Sequence, residues 1–122
     1  MDLEDLRNYC LSKAGTTESF PFDKDTMVFK VLSKLFAIIP LERDPLQINL
    51  KCDPERAEVL RDGHPDAIFP GYHMNKKHWN TVFIDNGLTN NLLKEMVDHS
   101  YDLVRNKLTK KEKTILDNLA ND

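Results

Sequence analysis

Residues 46–54 read Leu46-Gln47-Ile48-Asn49-Leu50-Lys51-Cys52-Asp53-Pro54, and they set the expected fold. Strict alternation over the first seven residues predicts a strand, because successive side chains of a strand point to opposite faces of a sheet. The core face is expected to carry Leu46, Ile48, Leu50 and Cys52, and the free face Gln47, Asn49 and Lys51. Asp53 followed by Pro54 predicts that a helix begins at once, since Asp is a favourable N-cap and Pro fits the first turn.

Apolar spacing on the N-terminal side of this stretch predicts one helix and two more strands. A helix from Leu3 to Ala14 is expected, because apolar residues recur there at helical spacing and Asp2 stands at the N-cap position. Met27–Val31 and Leu35–Ile39 are predicted strands, and the connection between them is short enough for a hairpin. Together with residues 46–52 they predict an antiparallel meander with one packed face.

The C-terminal half predicts two more strands and two more helices. Residues 68–74 and Thr81–Ile84 have strand character, and Pro70 indicates an edge strand or a bulge. Thr89 is the expected N-cap of the longest helix, and Thr109 opens a capping box before a short last helix. We therefore expect a single α+β domain over residues 1–122, with an N-terminal helix, an antiparallel sheet of about five strands and C-terminal helices.

Composition excludes several classes of protein. The 122-residue chain has 17 basic and 20 acidic side chains, and its net charge of −3 argues against strong nonspecific nucleic-acid binding by the whole molecule. Three of its four glycines are expected at helix ends and turns, which leaves Gly71 alone and excludes glycine-rich phosphate loops. The longest apolar run, Leu35–Leu41, is too short to cross a bilayer, so no membrane partner is expected.

The cysteines and histidines give no strong sign of chemistry. Two cysteines are too few for a disulfide framework, and the acidic N-terminus lacks the features of a signal peptide, which predicts a cytoplasmic protein with reduced thiols. Cys52 precedes a predicted helix N-terminus, where the helix dipole lowers a thiol pKa, but a buried and inert cysteine is the favoured interpretation. His73 and His78 are five residues apart, which suits neither a helix face nor a strand face. No metal, cofactor or catalytic residue is predicted.

One stretch has the composition of a contact surface, Pro70-Gly71-Tyr72-His73-Met74-Asn75-Lys76-Lys77-His78-Trp79-Asn80-Thr81. Its basic and aromatic residues interleave, as is typical of segments that bind single-stranded nucleic acid. The alternative is structural, with Trp79 anchored in the core and the lysine stems covering it. The predicted binding residues combine this segment with the free sheet face and are Lys30, Lys51, Tyr72, His73, Asn75, Lys76, Lys77, His78 and Trp79.

Several blocks of the sequence resemble the MmcQ/YjbR-like family of small bacterial proteins. The blocks are Leu50–Pro54, Ala57-Glu58, Leu60-Arg61 and Pro70–Thr81, with further matches at Val28–Val31, Phe36-Ala37 and Ser100–Val104. The resemblance runs from the first helix to about Leu108. It implies an α+β fold similar to that of secretion chaperones and a suggested double-wing DNA-binding role. The sequence departs from the family pattern at Asp23 and at Leu32-Ser33, where the family tends to have glycine.

These observations support three hypotheses on function. The leading one is a small noncatalytic binding protein that contacts DNA or RNA through the Pro70–Thr81 segment and the free sheet face. The second is a protein-interaction or chaperone-like adaptor, by analogy with secretion chaperones, which usually dimerise. The oligomeric state expected for the protein is a monomer or a homodimer. The third, which ranks below both, is an enzyme that uses Cys52 with a histidine.

Overall fold

The computed structural model of the chain describes residues 1–72 and 74–120. Within these residues the chain forms four helices and six strands, in the order α1 (Leu3–Leu11), β1 (Thr16–Ser19), β2 (Thr26–Val31), β3 (Lys34–Pro40), β4 (Gln47–Lys51), α2 (Pro54–Gly63), β5 (Ile68–Pro70), β6 (Trp79–Phe83), α3 (Asn90–Asn106) and α4 (Lys110–Ala120). The predicted α+β class, with an N-terminal helix, an antiparallel sheet and C-terminal helices, is confirmed.

The strands form a single antiparallel sheet in the order β1-β2-β3-β4-β6-β5. The expected meander is present, and Pro70 lies in an edge strand, where its missing N–H leaves no ladder hydrogen bond unmade. About five strands were expected, and the described residues form six. β1 pairs with β2 from Thr16↔Val31 to Ser19↔Val28, but its sequence Thr-Thr-Glu-Ser has no apolar alternation that would mark it as a strand.

Several element boundaries differ from the sequence-based expectation because tertiary pairing sets them. α1 ends at Leu11, three residues before the predicted Ala14, although the Asp2 capping box is present as expected. β6 begins at Trp79 instead of Thr81, since Trp79 pairs with Lys51 at the end of β4.

The helices pack on one face of the sheet and close a common core. That core joins side chains of α1, α3 and α4 to β2, β3, β4 and β6, and its largest fully buried members include Leu6, Phe29, Phe36, Ile48, Leu93 and Leu116. Gly15, between α1 and β1, has φ of +71°, and a Cβ there would lie 2.5 Å from Cδ1 of Leu116. The close approach of α4 to this turn therefore requires glycine.

A buried serine joins α3 to the sheet. β3 and β4 pair at only two positions, Ala37↔Leu50 and Ile38↔Asn49. Beyond them the fully buried Ser100 Oγ donates to the Phe36 carbonyl at 2.5 Å and accepts from the Lys51 N–H at 2.9 Å. The hydroxyl thus satisfies two strand groups that no longer reach each other.

The expected free face of β4 is not free. Gln47 and Asn49 are only 8% and 7% exposed. Asn49 Oδ1 accepts a hydrogen bond from Thr81 Oγ1, and Thr81 Oγ1 in turn accepts from the Tyr72 N–H, so the chain after β5 lies over this part of the sheet. Among the described residues no helix covers this face, which forms a groove instead of a flat surface.

Replacing Ser100 by Ala should lower the free energy of unfolding by about 1–3 kcal/mol, because it leaves a buried N–H and a buried C=O without a partner. Urea unfolding followed by circular dichroism measures this, and the exposed Ser12→Ala, which removes a hydrogen bond to the Tyr9 carbonyl, is the matched control. Equal midpoints for the two variants would contradict this role of Ser100.

Candidate functional site

Three lysines converge at the end of the sheet where β3 begins and β4 ends. Lys34, Lys51 and Lys107 line a pocket of about 190 Å³, together with Leu35 and Val104. The described part of the chain supplies no ion-pair partner to any of the three amines. Burial lowers the pKa of Lys51, and the charges of Lys107 and Lys34 lower it further. The Lys51 ammonium therefore lies close enough to those of Lys34 and Lys107 for both to repel it.

The loop of residues 74–78 lies beside this pocket. Lys51 pairs with Trp79 across β4 and β6, and the Cys52 N–H donates to the His78 carbonyl at 2.7 Å. Lys76 and Lys77 are exposed on this loop. We call the set of Lys34, Lys51, Lys76, Lys77 and Lys107 the lysine end of the sheet.

Much of the Pro70–Thr81 stretch is structural. The Trp79 side chain is 9% exposed, and a Cβ on Gly71 would lie 2.8 Å from Trp79 Cβ, so the two chain segments touch. Arg61 of α2 holds the loop: its Nε donates to Asn80 Oδ1 at 2.7 Å and its Nη2 donates to the carbonyls of Lys76 at 2.5 Å and Trp79 at 3.3 Å. The burial of Trp79 therefore agrees with the interpretation that it anchors the core. Its ring is not exposed for a base to stack on.

The predicted binding residues separate into groups. Four lie at or beside the lysine end, namely Lys51, Lys76, Lys77 and the half-buried His78, with the exposed Asn75 in the same loop. Lys30 is half-buried on β2 opposite Leu35 and lines no described pocket. Tyr72 lies over the groove, and His73 lies outside the described residues.

Lys34 and Lys107 are members of this site that were not among the predicted binding residues. Lys34 is the first residue of β3, and Lys107 is the C-cap of α3, where a cation suits the helix dipole. Lys107 does belong to a run of basic residues from Arg105 to Lys113, but such a run at the end of a helix is common on protein surfaces. Their proximity depends on strand order and helix packing.

The groove on the helix-free face contains two adjoining hollows. One of about 330 Å³ carries the carboxylates Asp23, Asp25 and Glu42, and the other of about 360 Å³ carries Phe69, Pro70 and Phe83. Arg43, Gln47 and Tyr72 line both hollows, and the Arg43 guanidinium lies 5.0 Å from the centre of the Tyr72 ring. One groove therefore carries a carboxylate-lined hollow, an apolar hollow and a guanidinium that borders both.

Cys52 has the environment of an inert thiol. Its side chain is buried, and burial raises its pKa, an effect that outweighs the charges of Arg56 and Arg61, which lower it. The His99 imidazole lies at the start of α2, where its Nε2 accepts from the Asp53 N–H at 3.1 Å. Cys52 and His99 border a space of only about 10 Å³, which has no room for a substrate.

Two further features are absent from the described residues. Residues 1–72 and 74–120 contain no group of three His, Cys, Asp or Glu side chains placed to hold a metal ion. The helices in the same ranges include none with the length and apolarity needed to cross a bilayer.

Comparison with known proteins connects this chain to one family. Residues 11–103 match the family model described as YjbR. The uncharacterized protein YjbR of Escherichia coli (strain K12) is 34% identical over 116 residues, which are 95% of this chain and 98% of that protein.

Solved structures have the same fold. The crystal structure of Deinococcus radiodurans protein DR2400, with the family-model domain DUF419, superposes with a TM-score of 0.86 at 48% identity over 93% of this chain and 86% of that chain. A crystal structure from Pseudomonas syringae gives a TM-score of 0.73 at 29% identity over 85% of this chain and 99% of that chain.

Replacing Arg61 by Ala should release the loop around Trp79 and lower the free energy of unfolding by roughly 1.5–3 kcal/mol, the range for hydrogen bonds to charged groups. Trp79 is the only tryptophan, so its emission should shift to longer wavelength and acrylamide should quench it more strongly. The control is Arg56→Ala, at an exposed position on the same helix. It should change neither the free energy of unfolding nor the Trp79 fluorescence. An unchanged spectrum for Arg61→Ala would show that Arg61 does not hold this loop.

Proposed function

The chain belongs to the YjbR family, and on that premise we propose that it is a noncatalytic binding protein that contacts nucleic acid through the lysine end of its sheet. The observation that carries the proposal is the convergence of Lys34, Lys51 and Lys107 on one pocket. No carboxylate of the described residues lies at ion-pair distance from their amines, and Glu112 interacts with Lys34 only at longer range. The E. coli relative is described as uncharacterized, so its name adds no activity.

Phosphate groups suit this arrangement. Lys34 and Lys107 both repel Lys51, and an anion that lies between the amines relieves this repulsion. Lys76 and Lys77 add exposed positive charge on the loop whose end pairs with β4. Because the whole molecule carries a charge of −3, binding should be confined to this end and should weaken steeply as salt rises.

The proposal differs in two respects from the surface expected from sequence. Trp79 is left out, since its ring is buried, and so is the helix-free face, because carboxylates border the groove there and would repel phosphate. Asn75, His78 and the five lysines remain as polar contacts. The binding mode is therefore electrostatic and not specific for base sequence.

A charge-matched pair of triple variants tests the proposal. Lys34→Gln, Lys51→Gln and Lys107→Gln together should weaken binding to a short oligonucleotide at low salt. The slope of log K against log salt should flatten by about 0.7–0.9 for each phosphate that is no longer neutralised. The control replaces the exposed Lys110, Lys111 and Lys113 of α4 by Gln, which changes net charge equally. An equal weakening in both variants, or wild-type affinity that does not depend on salt, would contradict the proposal.

An adaptor that acts as a homodimer is the second candidate, and exposed phenylalanines favour it. Phe20 and Phe22, in the connection between β1 and β2, are 43% and 67% exposed. Large apolar side chains at this exposure are typical of protein contact surfaces when they occur together.

Sedimentation equilibrium separates this candidate from a monomeric binding protein. Under the adaptor hypothesis the wild type sediments as a dimer at micromolar concentration, and Phe20→Ser with Phe22→Ser sediments as a monomer. Val59→Ser, at an equally exposed position on α2, is the control. A monomeric wild type at all accessible concentrations would exclude a homodimeric adaptor.

A further inference from the structure

The helix-free groove contains an amide that no other protein group pairs. The Gln47 side chain lines both hollows of the groove and is 8% exposed. Across residues 1–72 and 74–120 its amide makes no hydrogen bond to another protein group, and neither does the amide nitrogen of its neighbour Asn49, whose oxygen is taken by Thr81. The side chain is thus largely buried while its amide reaches the groove, where it is available to a ligand.

The first hollow offers a site for a cation. Asp25 and Glu42 face each other there, and the pKa of Glu42 is raised first by its hydrogen bond to Asp25 and then by the charge of that carboxyl. Asp23 is engaged differently, because its Oδ1 accepts from the Asp25 N–H at 2.8 Å. Asp25 and Glu42 have no ion-pair partner in the described part of the chain, so an ammonium group would relieve their repulsion.

The second hollow offers an apolar surface. Phe69 and Phe83 meet edge to face with ring centres 5.4 Å apart, and Pro70 and the Tyr72 ring complete the walls. Phe69 is 39% exposed although it lies on a strand. An aromatic or aliphatic side chain placed against these rings would bury the exposed part of Phe69.

Arg43 lies between the two hollows and offers a site for an anion. Its guanidinium stacks over Tyr72 and pairs with none of the described carboxylates. The carboxylate pair borders one hollow, the two phenylalanines border the other, and Arg43 and Gln47 border both. A free α-amino acid with an apolar side chain carries an ammonium, a carboxylate and an apolar group on one carbon, which matches these three kinds of surface.

We propose that this groove binds a free α-amino acid with an aromatic or large aliphatic side chain. The ammonium lies against Asp25 and Glu42, the carboxylate contacts Arg43, and the side chain packs on Phe69 and Phe83. The Gln47 amide donates to the carboxylate. The site is remote from the lysine end, so the proposal does not rest on nucleic-acid binding.

Isothermal titration with L-phenylalanine and three fragments tests this directly. Phenethylamine lacks the carboxylate, 3-phenylpropionate lacks the ammonium, and glycine lacks the side chain, so each should bind at least tenfold more weakly than L-phenylalanine. N-acetyl-phenylalanine amide lacks both charges. Equal affinity for that neutral probe, or no heat with millimolar L-phenylalanine, would overturn the proposal.

Two variants connect binding to the named groups. Gln47→Leu should weaken L-phenylalanine binding at least tenfold, because it removes the amide that donates to the carboxylate while it keeps an apolar side chain of similar length. Arg43→Gln should weaken it similarly, and Arg105→Gln, on the exposed surface of α3, should not. Wild-type affinity in both groove variants would contradict the proposed site, whether or not they fold as stably as the wild type.

Discussion

The hydroxyl of Ser100 sets how α3 meets the sheet. β3 and β4 separate after two pairs, and the hydroxyl bridges the Phe36 carbonyl and the Lys51 N–H across the gap. This fixes the depth at which α3 sits on the sheet and places its C-terminal turn beside the ends of the two strands. Without that separation, Lys34, Lys51 and Lys107 would not border a common pocket.

Antiparallel strand order gives the sheet two chemically different ends. The lysines stand where β3 and β6 begin and β4 ends, whereas Asp25, Glu42 and Arg43 stand near the opposite ends of β2, β3 and β4. A chain with a small net charge can therefore present a positive surface and a groove lined with carboxylates at the same time. The two proposed sites follow from this separation.

The Pro70–Thr81 stretch shows how a family signature can combine structural and functional residues. Gly71, Trp79 and Asn80 are buried and hold the loop in place with Arg61, whereas Lys76 and Lys77 extend into solvent from that loop. Family membership rests on the match over residues 11–103, and ligand contact is proposed only for the exposed part of this stretch. The E. coli relative is described as uncharacterized, so similarity to it supports the fold but not a function. Function has to be argued from the geometry of the sites.

The local elements of this protein follow from its sequence alone. Alternation over Leu46–Cys52 predicts β4 and Asp53-Pro54 predicts the start of α2, both from local properties, and both elements are present. The Asp53 side chain makes no capping hydrogen bond, so Pro54 is the local signal that holds at this helix start. What those elements face depends on tertiary packing. Alternation placed Gln47 and Asn49 on the second face, but it could not show that Tyr72 and Thr81 close over them. Likewise Lys34 and Lys107 are 73 positions apart, so only the packing of α3 on the sheet brings their charges together.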